Sequence, residues 1–139
     1  MKVTVETLVK APIGQVWDAY SNPEDIRAWN AASDDWHTTA SEVDLREGGR
    51  FCSRMEAKDG SFGFDFEGTY TRVVTNELIQ YEFGGRVAAV EFKETGGGVR
   101  VTVSFDSEES HSIEQQREGW QAILNRFKAH VEARSGSDS

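Results

Sequence analysis

The most constraining feature of this 139-residue sequence is a train of short runs that alternate apolar and polar residues, each closed by a turn signal. Residues 50–57 put Phe51, Ser53 and Met55 on one side and Arg50, Arg54 and Glu56 on the other. Asp59-Gly60 follows, a dipeptide suited to a tight hairpin. Phe62, Phe64, Phe66, Gly68 and Tyr70 then alternate with Asp65, Glu67, Thr69 and Thr71. Asn76-Glu77 marks a turn, and further runs over 78–83, 87–94 and 99–105 are separated by Gly84-Gly85 and Gly96-Gly97-Gly98. A two-residue period sends alternate side chains to opposite faces of a strand. Strands joined by turns this short pair antiparallel, and the polar alternate positions leave only one face to bury.

The rest of the chain must cover that face. Residues 3–9 read as another strand, and 36–43 as a strand of weaker pattern. Between them, Ala11-Pro12 opens a helix with Pro12 at its first position and Ile13, Val16, Trp17 and Tyr20 on one face. Asn22 caps a second short helix that starts at Pro23 and carries Glu24 and Asp25 in its first turn, with Ile26 and Trp29 as apolar contacts. Residues 30–35 are small and polar and read as a loop. Ser112-Ile113-Glu114-Gln115 forms a capping box for a helix predicted to run to about Arg134, with Ile113, Trp120, Ile123, Leu124, Phe127 and Val131 as its apolar stripe. At 1.5 Å per residue that helix spans roughly 33 Å, enough to cross a whole sheet. The expected fold is therefore α+β: about seven antiparallel strands curved around one long C-terminal helix, in the order β-α-α-β6-α. One domain covers residues 1–134, and 135–139 form a disordered tail.

Charge and composition narrow the function. A net charge of −9 argues against nucleic acid, whose phosphates need clustered Lys and Arg, and against anionic membrane surfaces for the same reason. The one cysteine, Cys52, leaves no intramolecular disulfide. The segment from Met1 to Glu6 has no apolar core of a signal peptide, and no apolar run approaches the roughly 20 residues of a membrane span, so a cytoplasmic protein is expected. His37, His111 and His130 show no metal-ligand spacing, and the glycine runs match no dinucleotide fingerprint or phosphate loop. Neither a metal nor a cofactor is expected. Asp65 and Glu67 fall on the outward face with Arg54 and Arg72 as cross-strand partners, and His111 and His130 read as structural.

The stretches Ala11-Pro12-Ile13 to Trp17, Asn22-Pro23-Glu24 and Trp29 to His37 follow one another in a familiar order. So do Asp44 to Phe51, Asp59 to Tyr70 and Glu118 to Leu124. In these the chain resembles the START-related helix-grip superfamily (SRPBCC), and within it the branch named after the activator of heat-shock-protein-90 ATPase. The resemblance implies a helix-grip fold with a deep cavity between sheet and long helix. It does not imply one activity, since members include lipid carriers, hormone receptors and aromatic polyketide cyclases.

Four Trp, eight Phe and three Tyr are many for this length and call for a core or a pocket wall. The expected ligand-binding residues are Phe64, Phe66 and Tyr70 of the aromatic row, Phe51, Met55, Tyr81 and Phe83 of neighbouring strands, and Trp120 and Leu124 of the long helix. Trp29 and Trp36 complete the set, flanking the polar loop as a gate with Asn30, Asp34, Asp35 and His37 as polar contacts. Each has an ordinary alternative: the rings as plain core, the tryptophans as staples, the loop carboxylates as solvated charge. Tyr70 and Tyr81 sit on the apolar side, where a buried hydroxyl must find a backbone oxygen or a ligand. Three functions stay open. One is binding of a small hydrophobic or aromatic molecule. A second is a cyclase-like or aromatase-like enzyme, for which no catalytic residue is identified. The third is a co-chaperone-like interaction domain. A chaperone and a second copy of the chain are the protein partners this leaves open.

Overall fold

The computed structural model describes residues 2–137, and side-chain surroundings through Arg134. The order is β1 (Lys2–Val9), α1 (Ile13–Ser21), α2 (Pro23–Trp29), β2 (Trp36–Val43), β3 (Arg50–Ala57), β4 (Gly63–Val74), β5 (Leu78–Phe83), β6 (Arg86–Thr95), β7 (Gly98–Asp106) and α3 (Ile113–Ser137). All strands lie in one seven-stranded antiparallel sheet of order β1-β7-β6-β5-β4-β3-β2. The strands from β2 to β7 form the meander that the turn spacing predicts, and β1 closes onto β7 with Val3 opposite Phe105 and Val5 opposite Val103. Register shifts between Thr38 and Ala40 in β2, and between Tyr70 and Arg72 in β4, mark bulges, which bend a strand and raise its twist. The result is a curled half-barrel gripping α3.

Local sequence explains most boundaries. Gly84 and Gly85 both take positive φ, 55° and 79°, the backbone a two-residue hairpin of the right twist requires. The Asn22 side chain accepts the Glu24 N–H at 2.9 Å and caps α2. Ser112 and Gln115 cap α3 reciprocally, each backbone N–H bonded to the other's side chain at 3.1–3.2 Å. Pro12 is the residue before α1 rather than its first: its backbone is extended, and its carbonyl accepts the Gln15 and Val16 N–H groups. The last helix continues to Ser137, past the expected end at Arg134, and residues 138–139 of the expected tail lie outside the described residues. Arg54 meets Asp65 across β3 and β4 at 3.5 Å, whereas Arg72 forms no ion pair among the described residues.

The core lies on the concave face. Phe105 and Phe127 are fully buried, and burying a side chain of this size contributes about 1.5–3 kcal/mol. The Trp120 ring stacks on Phe105 with centroids 4.0 Å apart and planes 9° from parallel. Phe127 receives the edges of Tyr20 and Trp29, which brings α1 and α2 onto α3. Polar clasps fix the helix along β1. Lys128 Nζ donates to the Leu8 carbonyl at 2.7 Å, Gln121 Nε2 to the Glu6 carbonyl at 3.2 Å, and Glu132 accepts the Lys10 N–H at 2.8 Å. Buried Asp25 of α2 holds His130 at 2.9 Å and also bonds Arg134, which ties α2 to the end of α3. Helix α3 thus packs chiefly on β1, α1 and α2 and stands away from β3, β4 and β5.

Gly68 shows how tightly the remaining walls close. A Cβ there would lie 2.9 Å from the Phe51 ring and nearer still to the Glu82 carbonyl oxygen. Gly68→Ala is expected to destabilise the fold by about 1–3 kcal/mol, read as a lower urea midpoint. An unchanged midpoint would show that the Phe51 ring and the Glu82 backbone both give way at no cost.

Candidate ligand cavity

Where α3 stands off the sheet there is a cavity of about 330 Å³. The period-two pattern of three adjacent strands builds its floor: Phe51, Ser53 and Met55 from β3, Phe64, Phe66 and Tyr70 from β4, Ile79 and Tyr81 from β5. Val103 of β7 adds to it, and Trp120, Ile123 and Leu124 of α3 form the roof. Tyr20 of α1 and Trp29 and Asn30 at the end of α2 close one side, and Arg86 at the start of β6 lies on the wall as well. Aromatic contacts stiffen the enclosure: Phe51 meets Tyr70 at 5.2 Å and Tyr81 at 5.0 Å, and Phe66 meets Trp120 edge-on at 6.5 Å.

Nine of the expected residues stand on this wall: Trp29, Phe51, Met55, Phe64, Phe66, Tyr70, Tyr81, Trp120 and Leu124. Two do not. Trp36 begins β2 opposite Ala57, beyond Met55 on the neighbouring strand, so its ring packs outside the cavity on Phe62 and Phe64 at 6.0 and 5.9 Å. Phe83 is buried behind the wall, against Phe66, Tyr81 and Trp120. The Arg86 guanidinium covers its ring at 4.4 Å and lines the cavity instead. Phe62, the first ring of the aromatic row, precedes β4 and is 63% exposed, so it does not face Trp120. Phe64 is 42% exposed and stands where the wall opens.

The loop after α2 is held down rather than loose. Thr38 Oγ1 donates to the Asn30 carbonyl at 2.6 Å, Asn30 Nδ2 approaches Met55 Sδ at 3.5 Å, and Asp34 pairs with Arg126 of α3 at 2.7 Å. The Arg126 hydrogen bond and charge hold the Asp34 carboxyl below its ordinary range. Of the polar residues expected at the gate, only Asn30 reaches the cavity. Asp34, Asp35 and His37 are exposed. Trp29 is a wall and a staple at once, its Nε1 donating to the Ala19 carbonyl at 2.8 Å.

The chemistry of the wall is narrow. All three tyrosines of the chain line it. None of their hydroxyls has a hydrogen-bond partner among the described residues. The backbone partner open to Tyr70 and Tyr81 at the level of sequence is thus not made. Burial, and next to it the neighbouring phenols for Tyr20 and Tyr81 and the Asp44 charge for Tyr70, push all three well above the usual phenol value. They stay protonated donors. The remaining polar groups are Asn30, Arg86 and Ser53, whose Oγ lies 3.3 Å from that of Ser41. Among the described residues no carboxylate, imidazole or thiol lines the cavity. Among the described residues no three His, Cys, Asp or Glu side chains gather as a metal site, and no helix is long and apolar enough to cross a membrane. Cys52 faces outward, its thiol pushed up by burial and by nearby Asp65 and Glu67.

Sequence reasoning did not name Tyr20, Ser53, Ile79, Arg86, Val103 or Ile123 as wall residues. Tyr20, Ile79, Val103 and Ile123 carry the right signal, an apolar face, but that signal does not separate packed core from open wall. Arg86 carries none, since a charged residue after a glycine hairpin reads as surface.

A family model described as Activator of Hsp90 ATPase homolog 1-like protein matches residues 10–132. The solved AHSA1-like protein from Aeromonas hydrophila is 50% identical with a TM-score of 0.91, over 96% of this chain and 94% of that one. A Cytophaga hutchinsonii protein is 46% identical with a TM-score of 0.83, over 96% and 93%. A Nitrosomonas europaea protein keeps a TM-score of 0.83 at 19% identity, over 98% and 97%, and so shares the fold alone. No curated protein matches the chain.

The phenols make the cavity visible to titration. An unfolded chain releases its phenolic protons near pH 10, while the native state keeps them. The native state then binds more protons than the unfolded state, so stability is full below about pH 10 and falls as pH rises further. Tyrosinate absorbance is expected to appear only together with loss of the native circular dichroism. Ionisation near pH 10 with the fold intact would mean the hydroxyls are open to bulk water.

Proposed function

The chain belongs to the Activator of Hsp90 ATPase homolog 1-like family, whose fold suits a ligand-binding or a co-chaperone-like domain, and of the two we propose the first: it binds a small hydrophobic or aromatic molecule between sheet and α3. One observation carries this reading. Protein interiors are close-packed, with few voids larger than a water, yet about 330 Å³ stays open here, lined by three phenols whose hydroxyls have no protein partner among the described residues. That volume falls within the range typical of small-molecule pockets, about 300–1,000 Å³. Flat apolar ligands suit walls made of ring faces, and the hydroxyls supply orientation. Among the described residues the wall carries no carboxylate, imidazole or thiol to move a proton, which favours holding a molecule over converting it.

Native mass spectrometry of freshly purified protein is expected to show a retained apolar molecule, and phenylnaphthylamine, a neutral fluorescent probe, is expected to bind and brighten. Ser53 points inward from β3, so Ser53→Leu should fill part of the space and weaken the probe by about tenfold or more, with little change in melting temperature. Probe binding unaffected by Ser53→Leu would place it elsewhere on the surface. Failure of the probe together with capture of the chaperone in a pull-down would favour the co-chaperone-like reading.

A further inference from the structure

The cavity of this acidic protein has a cation, Arg86, as its only charged wall residue among the described residues. Arg86 is half-buried at the start of β6, its guanidinium carbon 4.4 Å from the centre of the Phe83 ring. It makes one hydrogen bond to protein, from Nη1 to the Asp106 carbonyl at 3.2 Å, and no ion pair within 4.0 Å among the described residues. A guanidinium carries five N–H donors in a rigid fork, so most of its donors have no protein acceptor. The nearby carboxylates make their hydrogen bonds elsewhere, although Glu108 feels the Arg86 charge. Asp106 takes Lys2 at 3.1 Å and the Val87 N–H at 2.9 Å, and Glu108 is bonded to His111 and Ser110. On the same wall stand three phenol hydroxyls that can donate and have no acceptor. Among the described residues the wall is thus rich in unused donors, the Arg86 guanidinium and three phenol hydroxyls, although each phenol oxygen can also accept.

We propose that the cavity selects molecules with an apolar body and an anionic head, of the carboxylate, enolate or phenolate class, with Arg86 taking the charge and the tyrosine hydroxyls sharing the oxygen lone pairs. This rests on the ligand-binding reading above and adds the chemical class of ligand. An anion in a site screened from water replaces its hydration by fixed donors, and a charge-assisted contact to a planar guanidinium is stronger and more directional than a neutral one. A neutral hydrocarbon of the same shape would leave the four donor side chains unsatisfied.

The test compares two probes with one body: phenylnaphthylamine, which is neutral, and anilinonaphthalene sulfonate, which adds an anionic group. Fluorescence titrations use the full chain and its Arg86→Met, Arg86→Lys and Ser53→Leu variants, each checked for an unchanged melting temperature. The sulfonate is expected to bind the parent protein about tenfold or more tighter than the neutral probe. Arg86→Met should abolish that preference while leaving the neutral probe within about twofold, Arg86→Lys should keep part of it, and Ser53→Leu should weaken both probes. Equal affinities in the parent protein, or a preference that survives Arg86→Met, would overturn the proposal while the cavity reading stands. If neither probe binds, both fall together.

Discussion

Everything in this molecule depends on where the last helix is fastened. Helix α3 is pinned along β1 by Lys128, Gln121 and Glu132, pressed onto β7 by the stacked Trp120–Phe105 pair, and held at its far end by Asp25. These attachments all lie on one edge of the sheet and at α1 and α2. A rigid helix seated there meets β4 and β5 through the Trp120 ring, on Phe66 and Phe83, while the sheet curls with bulges in β2 and β4. The unfilled volume is thus a consequence of secure packing elsewhere rather than of a loose core.

That arrangement decides what the wall is made of. The strands that α3 does not touch closely are the ones richest in rings, so the open space is bounded by aromatic faces that already brace one another at 5–6.5 Å. Three phenol hydroxyls without a protein partner, and an arginine with most of its donors unused, put polar groups on an otherwise aromatic surface. Among the described residues no carboxylate or imidazole lines that surface.

Much of this was legible in the chain itself, and particular residues show how far. The alternation of Phe51, Ser53 and Met55 correctly places all three inward, and Tyr70 and Tyr81 follow from the same period. The same rule fails for Phe62, because it reports which side of a strand a residue takes but not where the strand begins, and Trp36, expected at the gate because it flanks the loop, packs outside on Phe62 and Phe64. It fails for Phe83 in another way: a residue can face the interior and still be screened by its neighbours, here by Arg86 and Phe66. Tyr20 looks like any apolar helix position until α1 is folded against Phe127 and Phe92.

The sequence alone determined the element order, the antiparallel pairing and the buried face, because hydrophobic period, turn residues and helix caps act over a few neighbouring positions and need no tertiary partner. Only the tertiary structure decided where the interior stays empty and which groups surround that space. Those depend on how a curved sheet and a straight helix fail to match over tens of ångströms, and on contacts such as Arg86 with Phe83 or Tyr20 with Phe127 that hydrophobic period and turn signals do not encode.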